Sequence, residues 1–185
     1  PHWNFRGHEG EIIRVVAYTN CEELELFVNG KSMGKQQIER YGHGEWYVEY
    51  APGEIYVEAR NGGKVVCMDK RETTGKPVAL KMVLDNKVSK ANGKDFAIIS
   101  CFCVDDNGRE VPDAECYVRF HCNSLGEIVG TGSDITDHNP VYLPERRMRA
   151  GRITVAVRVG TTPGQLKVYA ESENLEDGVL TIPLE

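Results

Sequence analysis

The sequence predicts an all-β chain, two tandem antiparallel sandwiches of immunoglobulin-like type. Three observations carry that prediction. The dominant hydrophobic period is two, the signature of strands with one buried and one wet face. Turn signals of Asn, Asp, Gly and Pro recur between these runs. No segment holds a helical period over ten or more residues. Many short strands at regular spacing are the pattern of such sandwiches.

The strands follow in order. In Glu23 to Val28 of ELELFVNGKSMG, Leu24, Leu26 and Val28 face one way, while Glu23 and Glu25 face the other. Asn29-Gly30 then predicts a tight two-residue hairpin, because that turn needs positive φ at both central positions. In GEIYVEA, Ile55, Val57 and Ala59 alternate with Glu54, Tyr56 and Glu58, and Asn61-Gly62-Gly63 marks a second turn. The run FAIISCFCV, residues 96–104, is apolar on both faces and reads as a central or interface strand. Asp105-Asp106-Asn107-Gly108 is a third turn. In RITVAVRV, Ile153, Val155, Val157 and Val159 share a face, as Leu166, Val168 and Ala170 do in QLKVYAE. The polar segment Thr73-Thr74-Gly75-Lys76-Pro77 has linker chemistry. It predicts a first domain over 1–75 and a second over 76–185. Residues 131–149 form the longest irregular stretch, and a loop of that length is expected to be functional or to pack against something else.

Bulk properties narrow the function. The chain has 185 residues, a formal net charge of −6, 27% charged and 41% hydrophobic residues, the profile of an ordinary globular protein. No basic cluster lines up with aromatics, which argues against a nucleic-acid partner. No apolar run approaches the roughly 20 residues of a membrane span. The chain opens PHWNFRG with no initiator Met, as though cut from something longer. The six cysteines, Cys21, Cys67, Cys101, Cys103, Cys116 and Cys122, sit mostly in apolar runs and read as reduced, structural residues. Disulfides are the alternative and a metal site the third. Free thiols lean towards a cytoplasmic location, with a periplasmic or secreted one open.

Candidate chemistry is sparse. Glycoside hydrolysis needs two carboxylates roughly 5–10 Å apart. The pairs Glu9/Glu11, Glu22/Glu23 and Asp105/Asp106 all fall in turns or on faces that read as solvated. Asp134, Asp137 and His138 in SDITDHNP could supply hard oxygen and imidazole ligands to a cation, though their spacing is loose and such residues are ordinary loop formers. No Ser lies in a G-x-S-x-G elbow. Trp3, Phe5, Trp46 and Tyr142 could stack on a sugar. Trp46 and Tyr47 must point to opposite faces of a strand, and core packing is the competing reading for both tryptophans. Arg146, Arg147 and Arg149 in PERRMRAG form a basic cluster that could meet an acidic neighbouring domain.

Taken together, PHWN, VVAYTNCEELELFVNGKSMGK, YAPGEIYVEARNGGKVV and TTGKPVALKMVLD resemble, in order, the region after the catalytic barrel of family 2 glycoside hydrolases of the bacterial β-galactosidase type. The resemblance continues through FAIISCFCVDDNGREVPDAE, GEIVGTGSD and RRMRAGRITVAVR, and so covers essentially the whole chain. The segment resembling PHWNW has Phe5 in place of the second Trp, and cysteine is more frequent than in that type. The resemblance implies two C-terminal immunoglobulin-like domains, with the catalytic glutamates upstream on a (β/α)₈ barrel. It therefore implies no catalytic residue and no cofactor here. It implies as partners the barrel and other domains of a parent enzyme, with a homo-oligomer partner or a glycan as further possibilities. A structural accessory role and a carbohydrate-binding role are the two readings that follow.

Overall fold

Alternation of apolar and polar side chains becomes antiparallel strands throughout the computed structural model, which describes residues 1–134 and 136–185 and contains no helix among them. The chain divides into two compact units, Pro1–Thr73 and Thr74–Glu185.

The first unit holds β1 (Ile12–Tyr18), β2 (Glu23–Val28), β3 (Lys31–Gln37), β4 (His43–Glu49), β5 (Glu54–Asn61) and β6 (Lys64–Glu72). β1 pairs with β4, and the other four form a sheet in the order β3-β2-β5-β6. Leu24, Leu26 and Val28 of β2 point into the core, as their spacing requires. On the opposite face, Glu25 pairs with Arg60 at 2.7 Å and Glu23 with Lys35 at 3.2 Å. These cross-strand ion pairs occupy the glutamates that the sequence leaves on a wet face. Asn29 and Gly30 form the β2–β3 turn with φ of 49° and 77°, the left-handed pair that such a hairpin needs. Asn29 has a second task. Its side-chain oxygen accepts from the Glu54 N–H at 2.8 Å and its amide donates to Pro52 O at 3.2 Å, which ties the hairpin to the start of β5.

Gly44 and Trp46 share the inward face of β4. A Cβ on Gly44 would lie 2.4 Å from Trp46 Cη2, so the missing side chain is the space the indole fills. The indole N–H then reaches Gly34 O at 3.2 Å.

The second unit holds β7 (Ala79–Leu84), β8 (Phe96–Val104), β9 (Tyr117–Cys122), β10 (Gly126–Gly132), β11 (Glu145–Arg147), β12 (Arg152–Val159), β13 (Gly164–Ser172) and β14 (Gly178–Leu184). They form two sheets, β10-β12-β8-β7 and β11-β9-β13-β14. β8 lies between β12 and β7, and its central residues are buried on both faces, which explains its largely apolar run. Ile153, Val155, Val157 and Val159 of β12 and Leu166, Val168 and Ala170 of β13 supply the core between the sheets. β10 reaches Gly132 and β11 spans Glu145–Arg147, so strands take up parts of the stretch 131–149. Ile135, within that segment, lies outside the described residues.

Candidate functional site

The N-terminal segment of the first unit supplies the aromatic cluster. Trp3 is only 2% exposed and its indole N–H donates to Ala51 O at 3.1 Å. Its ring meets Phe5 and Tyr50 edge-on, with centroids 5.8 and 5.1 Å away, and Phe5 meets Tyr50 at 5.4 Å. Such edge contacts suit the charge distribution of aromatic rings. Thr73 Oγ1 donates to Trp3 O at 2.6 Å, which joins the two ends of the unit. Trp3 and Phe5 form part of the wall of a cleft of about 450 Å³, alongside Val15, Ala17 and Leu26. Arg14, Asp69 and Arg71 bring polar groups to it, as does Tyr18, which is 82% exposed. Arg14 pairs with Glu45 at 2.7 Å, and Arg71 pairs with Asp69.

Of the four aromatics suggested by the sequence, Trp3 and Trp46 are buried core residues, and Phe5 is half-buried against Trp3. Tyr142 is exposed but belongs to the second unit. Burial therefore withdraws Trp3 and Trp46 from stacking on a sugar. The exposed tyrosine at the cleft is Tyr18, which the sequence alone does not single out. Its signal was the alternation of β1, which sends Tyr18 out to solvent.

The basic cluster divides by strand alternation. Arg146 points inward from β11, and its side chain is 1% exposed. Its guanidinium donates to Asp137 Oδ2, to Thr131 Oγ1 at 3.0 Å and to Pro140 O at 2.9 Å. That position corrects its reading as a surface contact: the charge is already spent inside the unit. Arg147 and Arg149 point outward and remain exposed, Arg147 pairing with Glu115 at 2.6 Å and Arg149 donating to Thr136 Oγ1 at 2.9 Å.

The loop acids are similarly occupied. Asp137 accepts from Arg146, from the Asn139 N–H at 3.0 Å and from Ser133 Oγ at 3.1 Å. The Arg146 guanidinium holds its carboxyl well below the usual range. Asp134 accepts from the Thr136 backbone and hydroxyl, while His138 is exposed. Among the described residues, no three of His, Cys, Asp and Glu gather as a metal site would require.

Asp105 departs most from its sequence reading as a wet turn residue. Its side chain is fully buried. Burial alone would raise its pKa, but donors prevail: the Gly75 N–H at 2.8 Å, the Arg109 guanidinium at 2.8 Å, and the Arg109 and Asn107 N–H groups at 2.9 and 3.0 Å. The carboxyl is held at about 2. Five carboxyls, those of Glu25, Glu45, Asp105, Asp134 and Asp137, move down from their ordinary values. A glycosidase general acid needs the opposite shift.

Comparison with known proteins accords with this geometry. Residues 80–181 match the family described as glycoside hydrolase family 2 C-terminal domain 5. Residues 10–67 match a domain of unknown function, DUF4982. The chain is 34% identical over 191 residues to Beta-galactosidase BoGH2A of Bacteroides ovatus, a match covering 100% of this chain and 22% of that protein. It superposes on a glycosyl hydrolase family 2 member from Bacteroides cellulosilyticus with a TM-score of 0.95 and 31% identity, over 100% of this chain and 24% of that one. A beta-glucuronidase from glycoside hydrolase family 2 superposes with a TM-score of 0.88 and 26% identity, over 100% of this chain and 19% of that one. The chain thus spans about a fifth of the length of the relatives it matches.

Proposed function

The chain belongs to glycoside hydrolase family 2, among the C-terminal domains of its enzymes, and we propose that it serves a parent hydrolase as a non-catalytic accessory region. Its two sandwiches would support the packing of the catalytic barrel and other domains, the rim of the active site or the assembly of the oligomer. The observation that carries this reading is the fate of the buried charges. Arg146 and Asp105 are each saturated by partners within the second unit, so they build the fold and hold nothing in reserve for chemistry. The parent is proposed to hydrolyse O-glycosyl bonds as a β-galactosidase, by analogy with BoGH2A. Deleting the region from the parent enzyme should lower its melting temperature or change its oligomeric state, with a loss of activity. Melting, assembly and activity all left unchanged would overturn the reading.

The cleft of the first unit favours a second reading, a carbohydrate-binding role that holds a galactoside near the enzyme. An apolar hollow of about 450 Å³ with a few polar groups and an exposed tyrosine at its edge is the usual make-up of a small-ligand site. On this reading, titrating the ¹⁵N-labelled chain with galactose, lactose and a galactan oligosaccharide should shift the amides of Trp3, Tyr18 and Arg71. A well-dispersed spectrum that stays unmoved at millimolar sugar would leave the accessory role alone.

A further inference from the structure

Two thiols meet across the core of the second unit. Cys103 lies on β8 in one sheet and is fully buried. Cys116 immediately precedes β9 in the other sheet and is half-buried. Their sulfurs are 3.7 Å apart, in van der Waals contact. Met148 Sδ closes the group, 3.5 Å from Cys103 Sγ and 4.0 Å from Cys116 Sγ.

The backbone holds both residues in place. Cys103 O accepts from the Val111 N–H at 2.9 Å, and Cys116 O accepts from the Met148 N–H at 2.7 Å. Between them, the Ala114 N–H reaches Val111 O at 3.2 Å, and Ala114 O accepts from Gly151 at 3.0 Å. These bonds fix the two backbones opposite each other and leave only the side-chain torsions free. A disulfide bond is about 2.05 Å long, so the sulfurs need to close by less than about 2 Å. Side-chain torsions can supply that movement while the ladders stay intact.

The thiols of this unit are not equivalent. The contact with Cys103, with a further bond from Ser172, lowers the pKa of Cys116 despite its partial burial. The same contact, together with burial, raises that of Cys103. Burial pushes Cys101 up to about 12 and raises Cys122 as well. A thiolate is the attacking species in disulfide exchange, and Cys116, half-buried where Cys103 is fully buried, is the member of the pair an oxidant can reach.

We propose that Cys103 and Cys116 are a disulfide site, bridging the two sheets of the second unit when the chain meets a small-molecule disulfide. The Cys116 thiolate attacks one sulfur of the oxidant R–S–S–R, and R–S⁻ leaves, giving a mixed disulfide on Cys116. Cys103, losing its proton, attacks Cys116 Sγ and expels the second R–S⁻. The pair gives up two electrons and two protons, and the oxidant becomes two thiols. The bond is neutral, so it places no charge in the apolar core. It would persist wherever the surroundings are oxidising.

The test uses the full chain carrying Cys67→Ser, because exposed Cys67 could otherwise link two molecules. The protein is equilibrated with oxidised or reduced glutathione, the remaining thiols are alkylated, and the peptides are mapped by mass. Oxidation should yield a monomer, lighter by two hydrogens, with Cys103 and Cys116 in one linked peptide pair. Its urea midpoint should rise, and dithiothreitol should reverse the rise. Adding Cys116→Ala should abolish both changes, whereas adding Cys101→Ala should leave both. Full alkylation of Cys103 and Cys116 after oxidation would overturn the proposal. So would a linked peptide joining Cys116 to Cys101 or to Cys122.

Discussion

Arg146→Ala should destabilise the second unit by about 3–5 kcal/mol, the usual loss when one partner of a buried ion pair is removed. The substitution leaves Asp137 with no guanidinium to answer its buried carboxylate, and Pro140 O and Thr131 Oγ1 each lose a donor. Set against a typical domain stability of about 5–15 kcal/mol, that is a large fraction. The double variant Arg146→Met/Asp137→Asn should recover part of the loss, because it removes the unpaired charge as well as the pair. Tryptophan fluorescence will not report this change directly, since both tryptophans, Trp3 and Trp46, belong to the first unit. Amide hydrogen exchange in β9 and β11, followed across a urea series, reads the second unit. A loss within about 0.5 kcal/mol, the range of ordinary surface substitutions, would show that the guanidinium does not hold the loop.

Asp105→Asn should cost the second unit about 2 kcal/mol at neutral pH, and the cost should disappear in acid. The folded-state pKa of Asp105, about 2, lies below that of an unfolded Asp, about 3.9. The stabilisation is therefore fully present above the unfolded value and is lost as pH falls through the folded one. Unfolding free energies of the parent and Asp105→Asn chains, measured from neutral pH down to about 2, should differ most near neutrality and converge at the acid end. Glu25, Glu45, Asp134 and Asp137 are lowered too, but they titrate in both proteins and cancel in the difference. A gap that stays constant across this range would mean that Asp105 acts through shape and not through its charge.

The strands were legible in the sequence because their signal is local. Leu24, Leu26 and Val28 declare a buried face within six residues, and Asn29-Gly30 declares its own turn. Ile153, Val155, Val157 and Val159 do the same for β12. The interior position of Arg146 was half legible. It alternates with Arg147 as strand residues must, but a run of arginines at a loop end reads first as solvated charge.

What the sequence determined by itself was the all-β class, the faces of the main strands and their turns, since each follows from backbone geometry acting between near neighbours. Tertiary structure alone decided the placement of the polar and sulfur groups. Asp105 became a saturated buried carboxylate because a donor 30 residues earlier in the chain, Gly75, turns towards it. Arg146 became interior because Thr131 and Asp137, 15 and 9 residues away, fold back over it. Cys103 and Cys116 meet because facing sheets bring their sulfurs together, with Met148 against both. Whether a charge or a thiol is tolerable in a core depends on partners that only the folded chain supplies, and a local pattern carries no record of them.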